Sequence, residues 1–272
     1  MGIAKLDQYG LLQVTGEDAR AFLHAQLTND IESLAPGRAR YAGWCSAQGR
    51  LLATFLVLPF EGGFLLQLSR DLAPAVAKRL ALFVLRARVK LADVSGEWLQ
   101  YGLWKPGGDL SVQQSKDRIE VGIDATRTLL LTRTPQDADA PAEDWTLEEI
   151  RAGRPLVVQA TQDKFVPQMV NLELSGGVDF QKGCYPGQEI VARAQYRGAV
   201  KRRMIRLRGA RLQPGQELYS DDLSGQASGT VVNAAGDEAL AVLTVSAIES
   251  GTPIRVQPQG TVLEPAALPY AR

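Results

Sequence analysis

The chain of 272 residues is 45% hydrophobic and 22% charged, and its 30 basic and 30 acidic side chains cancel to zero net charge. That length and balance describe a soluble globular protein of two or three domains around a sizeable core. Its two cysteines and one histidine exclude a disulfide framework, a zinc tetrad, and a stably held iron–sulfur cluster, which takes about four thiolates.

The first thirty residues lack a basic segment followed by an apolar core, and no apolar run approaches the roughly eighteen residues of a membrane span. The expected address is therefore cytoplasmic, with no membrane partner. Thr15-Gly-Glu-Asp18 reads as a helix start with Thr15 as cap, and Phe22, Leu23 and Leu27 face a core. His24 lies on that helix as a surface or packed imidazole, and Cys45 reads as a buried structural cysteine beside Trp44. Leu51 to Pro59 and Phe64 to Leu68 are strand-like runs joined by the hairpin signal Glu61-Gly-Gly63. Asp71 caps a second helix whose apolar face is Leu72, Val76, Leu80, Phe83 and Val84, with Pro74 in its first turn.

Further strands are expected at Arg88 to Val94, Trp98 to Trp104, Ile119 to Ile123 and Thr128 to Thr132. Gln136 to Glu149 holds six acids and no base, and its Pro/Ala/Asp composition up to Asp144 marks a linker. Thr146-Leu-Glu-Glu149 reads as a capping box that puts Trp145 just ahead of a helix, stapled onto Ile150. Beyond Gly198, short strands at Ile205 to Leu207, Gln226 to Val232, Ala239 to Val245 and Ile254 to Val256 alternate with turns, as in a small β-barrel. The fold class is α+β.

The most informative stretch is Phe180-Gln-Lys-Gly-Cys-Tyr-Pro-Gly-Gln-Glu189, which continues through Ile-Val-Ala-Arg-Ala-Gln-Tyr-Arg-Gly198. It sets Cys184 in a glycine-bracketed turn before a short helix over Gly187 to Arg197, with Pro186 at its first position and Gly198 as its stop. The helix dipole and the nearby Lys182 both favour a thiolate, whereas a small buried hydrophobe is the plain alternative for Cys184. Downstream, Arg193, Arg197, Lys201, Arg202, Arg203, Arg206, Arg208 and Arg211 place eight positive charges in nineteen residues without an acid. Such a run attracts anions, among them a carboxylate tail, a phosphate backbone or an acidic protein. Its last four arginines also read as a solvated strand face. Arg193 and Arg197, four apart on one helix face, are the pair expected to serve a site.

KGCYPGQE followed by ARAQYRG resembles the signature of the YgfZ family, folate-binding proteins related in fold to the T-protein (aminomethyltransferase) of the glycine cleavage system. Leu6 to Gly16, Phe22 to Asp30, Trp145 to Pro155, Phe165 to Leu172 and Leu268-Pro-Tyr270 fit the same family in the same order. The resemblance implies a ferredoxin-like α/β sandwich part and a small C-terminal β-barrel. It divides the chain into a discontinuous folate-site core (1–45 and 145–200), a ferredoxin-like domain (46–144) and the barrel (201–272). It also implies tetrahydrofolate or a derivative as bound ligand, with Trp145 and Tyr9 as folate contacts, although the family member compared has tryptophan in place of Tyr9.

On that resemblance Tyr185 packs beside the ligand, Gln188 and Glu189 hydrogen-bond the pterin, and Cys184, activated by Lys182, is a reactive thiol beside the folate pocket. The implied role is accessory: support of iron–sulfur cluster assembly or repair in client enzymes, including radical enzymes that thiomethylate transfer RNA, with no resident metal. The transferases of this fold use a carboxylate in the first half of the chain, but no acid occurs between Glu32 and Glu61. A missing group cannot reach the reacting proton. A folate-dependent methyl or aminomethyl transferase that takes a carboxylate from elsewhere, and a module binding tRNA directly through the basic stretch, remain the alternative readings.

Overall fold

The computed structural model of the protein describes residues 2–196, 200–223 and 225–270. In chain order the elements are β1 (Ile3–Lys5), β2 (Tyr9–Thr15), α1 (Ala19–Gln26), β3 (Arg40–Cys45), β4 (Leu51–Phe60), β5 (Gly63–Ser69), α2 (Ala73–Ala81), β6 (Lys90–Asp93), β7 (Leu99–Leu103), β8 (Val112–Ser115), β9 (Arg118–Gly122), β10 (Thr128–Thr132) and α3 (Ala142–Arg151). Then follow α4 (Gln188–Tyr196), β11 (Arg202–Arg208), β12 (Glu217–Ser220), β13 (Ala227–Ala235), β14 (Glu238–Thr244), α5 (Val245–Ser250), β15 (Ile254–Arg255) and β16 (Val262–Ala266). They form two five-stranded antiparallel sheets, ordered β3-β4-β5-β2-β6 and β1-β7-β10-β9-β8, and a closed barrel ordered β11-β14-β13-β12-β15-β16. A boundary at residue 45 falls inside the first sheet, between the paired strands β3 and β4.

The first sheet is a middle layer, and the period-2 alternation of its strands explains how. Along β4, Leu51, Ala53, Phe55 and Val57 point to the core shared with α1 and α2, while Leu56, Leu58 and Phe60 point to the core shared with the second sheet. Both faces are covered, so all ten residues of β4 are buried and the strand reads as a continuous apolar run. The β4–β5 hairpin turns through Glu61 (φ 43°) and Gly62 (φ 75°), two positive φ values that match the right-handed twist of the strands. A third core, built on Leu207, Leu218, Val231, Ala241 and Leu243, fills the barrel.

Several local expectations are corrected by competing hydrogen bonds. Helix α1 starts at Ala19, not from a Thr15 cap, and the Asp18 carboxylate accepts from the Arg88 N–H at 2.7 Å. Asp71 likewise leaves α2 uncapped and accepts from the Ser69 hydroxyl (2.6 Å) and the Gln159 N–H (2.9 Å). Phe83, expected on the buried face of α2, lies beyond the helix end and is exposed. Helix α3 begins at Ala142, so Trp145 is inside it rather than ahead of a cap, and the Thr146 hydroxyl donates back to the Ala142 carbonyl at 3.2 Å. The acidic linker is tied down as well, because Asp139 Oδ1 accepts from the Ile3 N–H while the Asp139 and Ala140 N–H groups donate to the Ile3 carbonyl.

Candidate functional site

Between the two sheets and α3 lies a cavity of about 60 Å³ whose walls are aromatic: Tyr9 from the start of β2, Tyr41 from β3 and Trp145 from α3. The indole of Trp145 rests against Gly102 of β7, where an added Cβ would stand 2.1 Å from a ring carbon. Trp104 meets it edge-on at 5.9 Å. Gly102→Ala is therefore expected to displace Trp145 and lower stability by about 1–3 kcal/mol, the usual cost of overpacking. Thermal unfolding followed by tryptophan fluorescence checks this, and an unchanged midpoint would mean the ring is not seated on the strand.

A chain of charges underlies the aromatic wall. Glu149, one helical turn after Trp145, accepts through Oε1 from Arg127 Nη1 at 2.7 Å and Arg154 Nη1 at 2.9 Å. Arg127, 2% exposed, also donates through Nε and Nη2 to Asp124 Oδ2 at 3.0 and 2.6 Å. Each guanidinium backs a ring, with Arg127 5.0 Å from the Trp145 centroid and Arg154 5.8 Å from that of Tyr41. Burial acts to raise the Asp124 carboxyl, yet the bonds from Arg127 and Thr126 bring it down to about 2. The Tyr9 and Tyr41 hydroxyls are pushed well above the ordinary phenol range by burial, reinforced by the charge of Glu149.

This lining suits a flat heteroaromatic ring. Tyrosine and tryptophan faces offer offset stacking, and Glu149 Oε2, which accepts no bond among the described residues, can take N–H donors from a ring edge. The volume sets a condition on entry. Drug-sized ligands occupy about 300–1,000 Å³, so a ligand of that size would require the lining side chains to swing aside.

The thiol loop is built separately. Cys184 is exposed, which removes the buried-hydrophobe reading. Lys182 is buried and donates to the His24 carbonyl at 2.6 Å and the Leu27 carbonyl at 3.0 Å, with its ammonium 4.7 Å from the Tyr185 ring centroid. It thus satisfies carbonyls at the C-terminal end of α1 and pins the loop there. Burial lowers its pKa to about 8, against the opposing pull of Asp30 and Asp179. Tyr185 is buried, and burial raises its hydroxyl; Cys45 is buried too, its thiol pushed up to about 12.

Helix α4 begins at Gln188, so Pro186 stands outside it and Gly187 supplies the first helical carbonyl. Gly187 has φ 77°, and a Cβ there would lie 2.4 Å from the Ser46 carbonyl oxygen. Only glycine lets α4 close against the Ser46–Gly49 turn. The helix is then fixed by Val191, fully buried, whose carbonyl accepts from Gln168 Nε2 at 2.7 Å.

A model of the GCVT N-terminal domain family matches residues 1–133. An uncharacterized protein of Haemophilus influenzae is 31% identical over 98% of this chain and 97% of its own length. The tRNA-modifying protein YgfZ of Edwardsiella ictaluri is 31% identical over 76% of this chain and 71% of its own length. The chain belongs to the YgfZ family. YgfZ of an Escherichia coli strain aligns over 98% of the chain at 26% identity. The crystal structure of the glycine cleavage system aminomethyltransferase T from Bartonella henselae superposes with a TM-score of 0.70, covering 99% of this chain and 86% of its own at 14% identity. The fold is therefore that of the glycine-cleavage T-protein, with its mixed α/β body and closed barrel.

Within this YgfZ-family chain, the residues singled out from sequence divide into two groups. Tyr9 and Trp145 line the cavity together, whereas Lys182, Cys184, Tyr185, Gln188, Glu189 and Arg193 do not line it. Arg197 lies outside the described residues. Sequence reasoning missed Tyr41, Arg127, Glu149 and Arg154. The spacing of Trp145 and Glu149, four apart on a helix and hence on one face, was the available signal.

Four of the eight basic side chains of the stretch lie beside three acids, one of which, Glu238, is also bound by Arg151. Arg203 pairs with Glu173, Arg206 and Arg208 approach Glu238 at 3.7 and 3.6 Å, and Arg211 approaches Glu143 at 3.4 Å. Among the described residues no cluster of His, Cys, Asp and Glu could hold a metal ion, and no helix is long and apolar enough to cross a membrane.

Proposed function

We propose that this YgfZ-family protein is a cytoplasmic folate-binding accessory factor that supports iron–sulfur cluster assembly or repair, including in the radical enzymes that thiomethylate tRNA. The observation that carries the reading is the cavity itself, with three aromatic walls and a carboxylate that keeps one oxygen unspent, in a fold of the T-protein type. Tyr9, Tyr41 and Trp145 hold the pterin, Glu149 takes its N–H edge, and Arg127 and Arg154 keep that carboxylate aimed. A reduced folate, when bound, supplies a carrier for one-carbon groups. Cys184, on the exposed loop, meets the client protein. The names of the YgfZ relatives support a link to tRNA modification, made here through the client enzymes.

Titration with tetrahydrofolate should quench intrinsic tryptophan fluorescence, and Trp145→Phe should remove most of that quench while weakening binding by about tenfold or less, since the ring is kept. Because the cavity must open, binding should be slower than diffusion allows and should saturate with ligand concentration in stopped flow. Absence of binding by both fluorescence and calorimetry would sink the reading.

Glu149 also favours a second reading, a folate-dependent methyl or aminomethyl transferase, because it supplies at the cavity a carboxylate that the stretch between Glu32 and Glu61 lacks. Turnover of tetrahydrofolate with an N-methyl donor by the purified protein would establish it. Direct tRNA binding through the basic stretch is disfavoured by the four acid-paired arginines.

A further inference from the structure

The end of α2 leaves an apolar and basic surface uncovered. Leu82, Phe83 and Leu85 follow the helix at 72%, 43% and 89% exposure. Single exposed apolar side chains are ordinary; a cluster rimmed by charge marks an interaction site. The rim is basic because no acid occurs between Asp71 and Asp93, a stretch that holds Lys78, Arg79, Arg86, Arg88 and Lys90. Arg88 is spent on Glu17 and Asp18, whereas Lys78, Arg79 and Arg86 are exposed and make no ion pair among the described residues.

The surface connects to the thiol loop through packed groups. Phe83 meets Trp44 edge-on at 6.2 Å. Trp44 bridges to Leu27, and the Leu27 carbonyl accepts from Lys182, two residues before Cys184. On the other side the Gly49 turn packs on Ile190 of α4, itself 41% exposed. Trp44 is 1% exposed, and its indole N–H has no hydrogen-bond partner among the described residues.

We propose that Leu82, Phe83 and Leu85, with Lys78, Arg79 and Arg86, dock an acidic protein partner bearing apolar anchors and bring it against Cys184. The proposal rests on the reading of this protein as an accessory to iron–sulfur clients, and identifies the surface by which a client is held. Charge selects the occupant. A second copy of this chain would set base against base. The two most exposed anchors, Leu82 and Leu85, are aliphatic and offer a nucleobase no π-face, and the third, Phe83, is packed edge-on to Trp44. A membrane-surface helix presents its own apolar face, but α2 turns Val76 and Leu80 into the core.

The test uses the full chain and a purified, cluster-bearing tRNA-thiomethylating radical enzyme as probe, with tRNA and phosphatidylglycerol vesicles as competing probes. Two variants are read, Leu82→Ser with Leu85→Ser, and Lys78→Glu with Arg86→Glu, each first checked for an unchanged thermal midpoint. Each pair should weaken binding of the enzyme by about tenfold or more, the charge pair losing its effect as salt rises. Equal binding by wild type and both variants overturns the docking surface, as does wild-type binding to tRNA or vesicles that the variants lose. Absence of tetrahydrofolate binding, alongside weakened docking in the two surface variants, would remove the proposed function and leave the docking surface standing.

Discussion

Replacing Cys184 with serine is expected to leave folding unchanged and to abolish support of iron–sulfur enzyme activity. The side chain is exposed, and the loop around it is held by other contacts: Lys182 on the α1 carbonyls, Gly187 against the Ser46–Gly49 turn, and Val191 on Gln168. A surface substitution that breaks none of these should fall within about 0.5 kcal/mol of wild type. Chemistry is another matter, because a serine hydroxyl does not ionise near neutral pH and is a poor ligand for soft metals, whereas a thiol can act as nucleophile or ligand. Activity of a cluster-dependent client, measured with purified components or in cells lacking the native protein, reads the outcome. Client activity equal to wild type would take the thiol out of the mechanism. Lys182→Met should behave differently, since it leaves two carbonyls at the end of α1 without their donor and lowers stability by about 1–3 kcal/mol before any chemistry is considered.

The contrast between these two residues marks what the sequence could and could not say. Turn chemistry and alternation are local, so the hairpin at Glu61-Gly62, the strand Thr128–Thr132, and the buried positions Phe22, Leu23, Leu27, Val76 and Leu80 were legible from spacing alone. Caps were less so: the Arg88 and Gln159 N–H groups, which only the tertiary fold brings near, take the carboxylates of Asp18 beside the expected Thr15 cap and of Asp71, and Thr146 bonds back within its own helix to Ala142. The short strands Ile3–Lys5 and Val112–Ser115 carry too few residues to register a period and are specified by their pairing with β7 and β9. At the site, the thiol turn announced itself through its glycines, but Lys182 was read as a neighbour of Cys184 in sequence when its ammonium points to another helix. The Asp124–Arg127–Glu149–Arg154 chain was illegible for the same reason. Asp124 and Arg127 sit three apart in the β9–β10 loop, Glu149 on a helix and Arg154 in the loop after it, and nothing in the sequence spacing brings the first pair to the second.

That charge chain makes the second large effect a matter of stability. Arg127→Met is expected to cost about 3 kcal/mol, because it strips a 2% exposed guanidinium from two carboxylates, and breaking a buried pair from one side leaves a charge with no compensation. Arg154 limits the damage, since it already reaches Glu149 at 2.9 Å and Asp124 at 3.4 Å. The acid limb carries the signature. Asp124 is held down to about 2 in the folded protein, against an unfolded value near 3.9. A depressed carboxyl contributes stability that is fully present above the unfolded value and is lost as pH falls through the folded one. Wild type should therefore shed stability between about pH 4 and pH 2, and Arg127→Met, with Asp124 nearer its ordinary range, should shed less. Urea unfolding at pH 7, 4 and 2.5 measures the difference. A gap that stays constant across that window would mean the arginine acts by packing on Trp145 rather than through Asp124, and the cavity floor would have to be reread as an apolar support.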